Sequence, residues 1–420
     1  MSDLSLTDWL QRLEQQHPVS IDLGLERVGE VAQRLGLGHH ATAKVITVAG
    51  TNGKGSFVAS LDAMLRRHGC RVGCYTSPHL LQFNERVVID GHAVDDSALV
   101  QAFERIAVAS EGISLSYFEY TTLAGLLVFA EHTLDFIILE VGLGGRLDAV
   151  NIINADLAII TSIALDHQDY LGDTRELIAA EKAGILREST PLISAEADLV
   201  ALLPEVEQQR NMALIGRDFT LIEADDHKHW HFKSEALSLS DIPDNGLSMH
   251  SQAAAIVACQ WLLADKAQEA LIEQALADVK LAGRFQQIQR EDGIHVVLDV
   301  AHNPQAAALL HHRLQALPLE KGKKRIAVFH ALEDKAISEI IELLKDDMTA
   351  WFIGGLNHPR ASKVEDLDSL LRQAGCTMIS TNKNMRQALS RALSMCQGGD
   401  QIIAFGSFFV VAELLTRVNR

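Results

Sequence analysis

Short apolar runs alternate with helix-like patterns along most of the chain from about residue 44 onward. Buried strands of a parallel sheet are predicted by the apolar runs "KVITVAG", "RVGCYTS", "LDFIILEVG" and "ADLAIITSI". A helix that ends at Gly69 is predicted by "SFVASLDAMLRRHG". Right-handed crossovers bring the loops at the carboxyl ends of parallel strands to one edge of the sheet, where we expect the functional groups.

A second alternating series follows a polar, irregular stretch at about 215–250, which we expect to form small antiparallel strands. A helix is predicted next by "SQAAAIVACQWLLA", and the new series then includes "IHVVLDVAHNP", "RIAVFHAL", "MTAWFIGG" and "QIIAFGSFF". A chain of 420 residues exceeds the usual size of a single core. We therefore predict two α/β domains, residues 1–285 and 286–420, joined near 285–293.

Composition narrows the choice of partners and compartment. The 37 basic and 55 acidic residues give a net charge of −18, which argues against a nucleic acid or an anionic membrane as partner. A few residues can still form a locally positive site for phosphate. The five cysteines lack a zinc-binding spacing, and the N-terminus lacks the apolar segment of a signal peptide. Because no run approaches the ~20 apolar residues that span a bilayer, we expect a cytoplasmic protein with reduced thiols.

A glycine-rich turn joins the first strand to its helix in "VITVAGTNGKGSFVAS". The order strand, glycine turn, lysine, hydroxyl, helix suits a nucleotide triphosphate, since backbone N–H groups and the helix N-terminus attract phosphate. Lys54 would reach the outer phosphates. The common G-x-x-x-x-G-K-[ST] pattern is not met, because Val48 takes the place of its first glycine and Gly55 precedes Ser56. A purely structural strand–helix turn is the alternative.

Polar residues follow other predicted strands at the same edge. Glu140 ends an apolar run, in a position where an acid can hold Mg²⁺ or its water. Asp166 and His167 follow another strand, and Thr76 and Ser77 follow a third. Each alone could cap a helix or lie satisfied in the core. Together with the glycine turn they indicate a site for a triphosphate and a metal ion.

A set of short motifs, read in order, identifies a family. The chain resembles the folylpolyglutamate synthases, members of the Mur-type amide ligases, through "GTNGKGS", "SPHL", "LEVGLGGRLDAVN", "SIALDH", "EKAGI", "GRFQ", "DVAHNP" and "GSF". It resembles the bifunctional bacterial form, which also acts as a dihydrofolate synthase, through "DLGLERV" and "ISLSYFEY". The resemblance implies a P-loop parallel-sheet ATPase domain followed by a smaller Rossmann-like α/β domain.

The resemblance also implies the reaction. ATP phosphorylates the carboxylate of dihydropteroate or tetrahydrofolate, and the amine of L-glutamate displaces the phosphate to form an amide. The implied cofactors are ATP and Mg²⁺, the partners are these small molecules, and the protein is expected to be a monomer. Such a reaction requires that the enzyme neutralise the charge of the phosphates and align the three substrates with one another.

Site residues are carried over from the matching motifs. The residues implied to bind ATP are Asn52, Gly53, Lys54, Gly55, Ser56, Gln252, Arg284, Asp299 and His302. Those implied to bind the metal are Glu140 and His167, with Thr76 or Ser77 as a third ligand. Those implied to be catalytic are Lys54, His167 and Lys182. Those implied to bind the pterin are Asp22, Leu23, Gly24, Leu25, Leu115, Tyr117, Phe118, Arg146, Leu147, Asp148 and Ala149.

Several of these residues have structural alternatives. Lys182 matches a lysine that superfamily members carbamylate, or it is a helix-surface lysine paired with Glu181 or Glu176. Ser56 caps its helix or touches the metal, and Asp299 contacts the nucleotide or caps the helix after Pro304. Tyr117 and Phe118 stack on the pterin or pack in the core.

Departures from the family pattern lie mostly in the second half. The family usually has an asparagine at Gln252, a proline at Ala282, an aspartate at Ala336 and polar residues at Phe409 and Val410. These changes bear on the polyglutamate activity more than on the amide-ligase chemistry. The remaining alternatives are folylpolyglutamate synthase activity only, a cell-wall Mur ligase, or a P-loop nucleotide switch. A cell-wall ligase needs a larger N-terminal domain than the first 40 residues provide.

Overall fold

Two units make up the chain, Met1–Lys280 and Leu281–Arg420. The computed structural model describes residues 4–16, 22–37, 43–209 and 211–418. Each unit is an α/β assembly around its own sheet, as the sequence predicts. In the described ranges, no helix combines the length and apolarity required to cross a bilayer.

The first unit has an eight-stranded sheet in the order β4-β3-β2-β5-β1-β6-β7-β8. Its strands are β1 Lys44–Ala49, β2 Val72–Tyr75, β3 Val87–Ile89, β4 His92–Ala93, β5 Phe136–Glu140, β6 Leu157–Ile160, β7 Leu192–Ser194 and β8 Met212–Leu214. The six strands from β2 to β8 in this order pair in parallel, whereas β3 and β4 extend the edge in antiparallel fashion. Strands β2, β5, β1 and β6 are therefore neighbours, and their carboxyl ends meet at one edge.

Helices cover both faces of this sheet. They are α1 Leu6–Gln16, α2 Glu26–Arg34, α3 Lys54–Arg67, α4 Asp96–Ala109, α5 Tyr117–Ala130, α6 Gln168–Leu171, α7 Arg175–Ala183, α8 Leu199–Leu202, α9 Met249–Leu263 and α10 Glu269–Asp278. One apolar cluster contains residues of α1, α2, α4 and α5, and another contains residues of α3, α9 and α10. Short 3-10 turns are formed by Phe83–Arg86, Ala149–Ile152, Pro204–Gln208 and Ala264–Lys266.

The polar stretch near 215–250 forms the expected antiparallel strands. These are β9 Phe219–Glu223, β10 His229–Ser234 and β11 Ser238–Pro243, in the order β11-β10-β9. Trp230 and Phe232 of β10 are buried in the same apolar cluster as α3 and α9. This small sheet thus supports the side of the unit where α3 and α9 pack.

The second unit has a six-stranded sheet in the order β12-β13-β17-β14-β15-β16. Its strands are β12 Gln286–Gln289, β13 His295–Leu298, β14 Arg325–Phe329, β15 Ala350–Gly354, β16 Ile379–Asn382 and β17 Gln401–Phe405. Its helices are α11 Pro304–Ala316, α12 Ile337–Leu344, α13 Val364–Gln373, α14 Met385–Met395 and α15 Phe408–Leu415, with a 3-10 turn at Lys345–Asp347. All pairs are parallel except that of β12 with β13.

The segment near 285–293 differs from the expected joint between the units. Strand β12 pairs antiparallel with β13, so this segment is a hairpin within the second sheet. The chain divides slightly earlier, after Lys280. The reason is that the polar run "QRED" forms a turn between two paired strands, and a turn and a linker share the same composition.

Candidate active site

The glycine turn lies between β1 and α3, and two of its glycines have no room for a side chain. A Cβ on Gly50 would lie 1.9 Å from Thr161 Oγ1, and a Cβ on Gly53 would lie 2.3 Å from Ser251 Oγ. Gly53 also has a left-handed backbone with φ 87° and is the N-cap of α3. Both positions therefore require glycine, and the backbone is left bare at a helix N-terminus, as phosphate binding needs.

The turn is fastened to the segment that follows β6. The Asn52 N–H donates to Ser162 Oγ at 3.0 Å, and Thr161 Oγ1 donates to the Asn52 carbonyl at 2.7 Å. The Thr51 N–H donates to the Ser162 carbonyl at 2.8 Å. These bonds shape the turn before any ligand arrives.

Lys54 is the first residue of α3, and its side chain folds back over the turn. Its Nζ donates to the Gly50 carbonyl at 2.9 Å and to the Thr51 carbonyl at 3.3 Å. The ammonium group is thus held over the bare backbone, where the predicted phosphates would lie. Gly55 follows in the first turn of the helix.

Ser56 has a different role from the predicted helix cap. Gly53 takes the N-cap position of α3. The buried Ser56 hydroxyl instead accepts from the Ser248 N–H at 3.2 Å. Ser248 is the N-cap of α9, so Ser56 links the start of α3 to the start of α9. Its contact with a metal stays a prediction.

Gln252 lies in the first turn of α9 and is completely buried. Neither its amide nitrogen nor its amide oxygen has a hydrogen-bond partner among the described residues. A buried amide without partners is costly. The predicted contact between this amide and ATP stays a prediction.

Glu140 ends β5 and is 5% exposed. The Ser77 N–H donates to Glu140 Oε2 at 3.3 Å, which brings the segment after β2 to the end of β5. The Thr76 hydroxyl instead donates to the Glu85 carbonyl at 3.3 Å. Of the two predicted alternatives, Ser77 is therefore the residue beside Glu140.

His167 lies in the loop after β6 with a left-handed backbone, φ 52°, and is the N-cap of α6. Its N–H donates to Asp166 Oδ1 at 2.9 Å, and its Nε2 lies 4.0 Å from the same oxygen. Its side chain is 32% exposed, whereas that of Asp166 is 7% exposed. Carboxylate, hydroxyl and imidazole groups thus project from the ends of neighbouring strands. This donor set fits a divalent cation, although imidazole is uncommon for Mg²⁺.

Lys182 is buried, with only 3% of its surface exposed, so the helix-surface alternative is wrong. Glu181 pairs with Arg146 instead, with Oε1 2.8 Å from Nη2. Burial and the nearby charge of Lys54 lower the pKa of Lys182 to about 7, against the opposing effect of Asp166 and Asp148. A substantial fraction of this amine is therefore neutral near physiological pH, which is the form that reacts with CO₂.

Asp148 organises the glycine loop that follows β5. Its carboxylate accepts the N–H groups of Gly142, Leu143 and Val150 at 3.0, 2.8 and 3.1 Å. Burial raises the pKa of Asp148 to about 6, although these bonds and Lys54 oppose the shift. Its carboxylate already accepts three N–H groups of the loop, and a contact with the pterin stays a prediction.

The remaining residues of the predicted pterin region fall into two groups. Leu115 and Ala149 are buried in the core of the first unit, so their side chains pack against protein. Arg146 is exposed and Leu147 is half-buried. The contact of these four residues with a pterin stays a prediction.

Tyr117 and Phe118 begin α5 and are half-buried. The Phe118 ring lies 6.2 Å from that of Tyr75 and covers Gly142, where a Cβ would lie 2.5 Å from the ring. Burial raises the pKa of Tyr117 to about 12. Both rings thus pack partly against protein, and stacking on a pterin stays a prediction.

An ion-pair network ties the predicted N-terminal pterin segment to α5. Arg27 Nη1 lies 2.6 Å from Asp22 Oδ2, and its Nη2 lies 3.1 Å from Glu119 Oε1. Glu119 also closes the capping box of α5 with Ser116. The half-buried residues Leu23, Gly24 and Leu25 lie between Asp22 and α2. The two predicted pterin segments are therefore brought together at the start of α5.

Sequence reasoning missed a third component here. Arg86 is 8% exposed, and its Nε donates to His79 Nδ1 at 2.9 Å. Its guanidinium lies 5.6 Å from the ring centroids of both Phe83 and Tyr117. The stretch "SPHLLQFNERV" contains this arginine but gives no sequence signal for its role, because that role depends on which groups surround Arg86 in the fold.

In the second unit, the predicted ATP residues gather at the ends of β13 and β17. Asp299 accepts the N–H groups of Phe285 and Ala301 at 2.8 and 2.7 Å. The Arg284 guanidinium lies 5.0 Å from the Phe408 ring, and the His302 ring lies 6.1 Å from it. Burial raises the pKa of Asp299, against the opposing charge of Arg284.

The alternative in which Asp299 caps α11 is wrong. Asn303 is the N-cap, and its Oδ1 accepts from the Ala306 N–H at 3.0 Å. Asp299 instead joins the "GRF" turn to the loop after β13. An ATP contact stays a prediction for Arg284, Asp299 and His302.

Comparison with known families identifies the class of the protein. The Mur ligase middle domain matches residues 48–216, and the Mur ligase glutamate ligase domain matches residues 283–408. The glycine turn, Glu140 at the end of β5 and the buried Lys182 of α7 all lie in the region that matches the middle domain. The fold and the site thus define a Mur-type ligase, as the sequence resemblance implied.

Individual relatives indicate which kind of Mur-type ligase the chain resembles. The chain is 37% identical to the dihydrofolate synthase/folylpolyglutamate synthase of Haemophilus influenzae, over 97% of this chain and 96% of that protein. Escherichia coli FolC in complex with DHPP and ADP has a TM-score of 0.91 and 37% identity, covering 99% of this chain and 98% of that one. A bifunctional folylpolyglutamate synthase/dihydrofolate synthase with Mn, AMPPNP and L-glutamate bound has a TM-score of 0.89 and 35% identity, covering 99% and 98%.

The chain belongs to the dihydrofolate synthase/folylpolyglutamate synthase family. It is an ATP-dependent ligase, and the predicted family, fold and enzyme class are confirmed.

Proposed function

We propose that this protein joins L-glutamate to the carboxylate of dihydropteroate, and to that of tetrahydrofolate and its glutamates, at the expense of ATP. The observation that carries the proposal is the position of Lys54, whose ammonium lies over a bare glycine turn at the N-terminus of α3. One relative binds DHPP and ADP, and another binds AMPPNP, Mn and L-glutamate, which supports a nucleotide, a metal ion and L-glutamate as ligands of this protein.

The first chemical task is to bring a carboxylate to the terminal phosphate of ATP. Both groups are anions, so they repel unless cations lie between them. Lys54 supplies one positive charge, and the N–H groups of Gly53 and Gly55 supply oriented hydrogen-bond donors for the phosphate oxygens. The carboxylate oxygen then forms a bond to the γ-phosphorus while the bond to ADP breaks.

A divalent cation would be held by Glu140, Ser77 and His167. When bound, it neutralises phosphate charge as a Lewis acid. Ser77 is proposed over Thr76 because the Ser77 N–H already donates to the Glu140 carboxylate. The Thr76 hydroxyl instead donates to the Glu85 carbonyl.

Lys182 is proposed to act as its carbamate. The neutral amine adds CO₂, an N–C bond forms and one proton leaves, so a cation becomes an anion. In this form the side chain would no longer repel Lys54 and could bind a second cation. The pKa of about 7 supplies the neutral amine that the addition requires.

Amide formation completes the reaction. The glutamate amine attacks the carbonyl carbon of the acyl phosphate, a C–N bond forms, the C–O bond to phosphate breaks, and the amine proton leaves. We propose that Arg284, Asp299 and His302 of the second unit contact ATP, and that Gln252 does so in the first. We also propose that the protein is a monomer and that it is cytoplasmic, and the five free cysteines are in keeping with that compartment.

The test is ATP consumption by the purified protein with Mg²⁺, dihydropteroate or tetrahydrofolate, and L-glutamate. Phosphate release should require both the acid and the amine, and mass spectrometry should show the acid heavier by one glutamyl residue or more. Hydrolysis that ignores both substrates would instead identify a nucleotide switch. Activity only with a nucleotide-linked muramoyl acid would identify a cell-wall ligase.

A further inference from the structure

Arg86 is a buried arginine next to the proposed reaction centre. It ends the 3-10 turn Phe83–Arg86 and is 8% exposed. Its carbonyl accepts the Thr76 N–H at 2.9 Å. Arg86 is thus bonded to the residue that precedes Ser77, the proposed metal ligand.

The guanidinium has no carboxylate partner among the described residues. Its Nε donates to His79 Nδ1, and its flat surface contacts the rings of Phe83 and Tyr117. The carboxylate of the adjacent Glu85 is used elsewhere, since it accepts the N–H groups of Leu80, Leu81 and Gln82 at 2.7, 2.9 and 2.7 Å.

His79 supplies no balancing charge. Its Nδ1 must be an unprotonated acceptor for the Arg86 Nε–H, so the imidazole is neutral. The histidine therefore orients the arginine without compensating for it.

The terminal nitrogens of Arg86 remain available. In the described parts of the chain, neither Nη atom has a hydrogen-bond partner, and neither is among the completely enclosed polar atoms without one. A nearly buried cation without an anion destabilises the folded protein. The cost is offset when a ligand supplies the anion.

We propose that Arg86 binds the α-carboxylate of the glutamyl residue in a folate acid, and so decides which acids the enzyme accepts. This inference rests on the proposed function. The Arg86 guanidinium contacts Tyr117, in the predicted pterin region, and the Arg86 carbonyl is bonded to Thr76, the residue before Ser77. A folate acid carries its α-carboxylate between its heterocycle and its reacting carboxylate, whereas dihydropteroate has only the reacting one.

The chemistry of the two groups matches. A guanidinium presents two parallel N–H groups to the two oxygens of a carboxylate, and such a pair is strong where water is excluded. The rings of Phe83 and Tyr117 lie 5.6 Å from the guanidinium and restrict water around it. Arg86 is therefore a specificity-determining residue for the second of the two proposed reactions.

The experiment compares wild type with Arg86→Met and Arg86→Lys, using three acids at saturating ATP and L-glutamate. The acids are dihydropteroate, tetrahydrofolate, and a tetrahydrofolate analogue whose α-carboxylate is an amide. Wild type should favour tetrahydrofolate over the amide by roughly tenfold or more in kcat/KM. Arg86→Met should not distinguish those two acids, and its kcat/KM for dihydropteroate should stay within about threefold of wild type.

Two comparisons control for folding. Arg325 is a buried arginine of the second unit whose Nε and Nη2 donate to Gln401 Oε1 and the Leu317 carbonyl at 2.8 and 3.0 Å. Arg325→Met should lower the melting temperature and leave the preference among the acids unchanged. Should Arg86→Met fail to fold, Arg86→Lys keeps the charge without the fork and should show an intermediate preference.

The outcomes separate this inference from the proposed function. If wild type joins glutamate to none of the acids, the proposed function itself fails. If wild type is active but Arg86→Met lowers kcat/KM equally for all three acids, or for none of them, Arg86 does not recognise the α-carboxylate. A wild type that uses dihydropteroate alone also overturns the inference. If wild type uses only tetrahydrofolate, the comparison of tetrahydrofolate with its α-amide analogue still tests the inference.

Discussion

Lys54 and Lys182, two lysines from different helices, lie close enough that the charge of one lowers the pKa of the other. The neighbouring carboxylates of Asp148 and Asp166 oppose this effect, but burial and Lys54 prevail and the pKa of Lys182 falls to about 7. Two lysines in one site are unfavourable unless a ligand or a chemical change adds negative charge. This relationship underlies the first two predictions.

Replacing Lys54 by Met should reduce ligase turnover by a factor of roughly 100 or more, because a cation at the transferred phosphate is lost. Folding should change little, since the lost bonds to two carbonyls are worth about 1 kcal/mol each. Steady-state turnover and a melting curve measure both effects. Lys44→Met, at an exposed lysine that begins β1, is the matched control and should keep full turnover. Near-normal turnover in Lys54→Met would remove the basis of the proposed phosphate site.

Replacing Lys182 by Ala should abolish most activity, and short carboxylic acids such as acetate should restore part of it. The reason is that the acid can occupy the place of the proposed carbamate. Turnover is measured against acetate concentration, with Lys182→Met as the control in which the longer side chain blocks that space. If both variants stay fully active, or if acetate does nothing for Lys182→Ala, the carbamate has no role.

Ser77→Ala should raise the Mg²⁺ concentration needed for half-maximal activity by roughly fivefold or more, because a hydroxyl ligand is removed. Thr76→Val should have a smaller effect, since the Thr76 hydroxyl is bonded to the Glu85 carbonyl. Magnesium titrations of the two variants make the comparison. The assignment of Ser77 is wrong if Thr76→Val shows the larger shift.

Asp148 should make stability depend on pH in a defined window. Its pKa is raised from 3.8 to about 6 in the folded protein, so the folded state binds more protons than the unfolded state between these values. Its contribution is therefore most favourable at low pH and is lost as pH rises through about 6, on the order of 3 kcal/mol in total.

Melting temperatures of wild type and Asp148→Asn at several pH values from 4 to 7 test this sign. Relative to the asparagine variant, which does not titrate, wild type should lose stability across the window. A difference that is constant with pH, or that grows in favour of wild type, would contradict the raised pKa.

The sequence predicted the central strands and the glycine turn because their signals are local. Long apolar runs form the buried strands β1, β5 and β6, and the lysine between glycines marks the turn. Strands β12 and β16 escaped prediction because their sequences, "QQIQ" and "ISTN", lack an apolar run. Edge strands bury little surface, so pairing with a neighbour rather than composition defines them.

The site was predicted less completely because several roles depend on contacts distant in sequence. Ser56 bonds to Ser248, and Asn303 rather than Asp299 caps α11. The burial of Leu115 reflects the packing of the whole unit. An isolated arginine in a sequence gives no indication of whether a carboxylate lies beside it in the fold, so Arg86 could be singled out only from the structure.

Hydrogen bonds join the glycine turn to the residues after β6, so we expect these two loops to move together. The Asn52 carbonyl accepts from both Thr161 Oγ1 and Ser162 Oγ, and the same loop continues to Asp166 and His167. A nucleotide that shifted the glycine turn would therefore also shift the loop that carries His167.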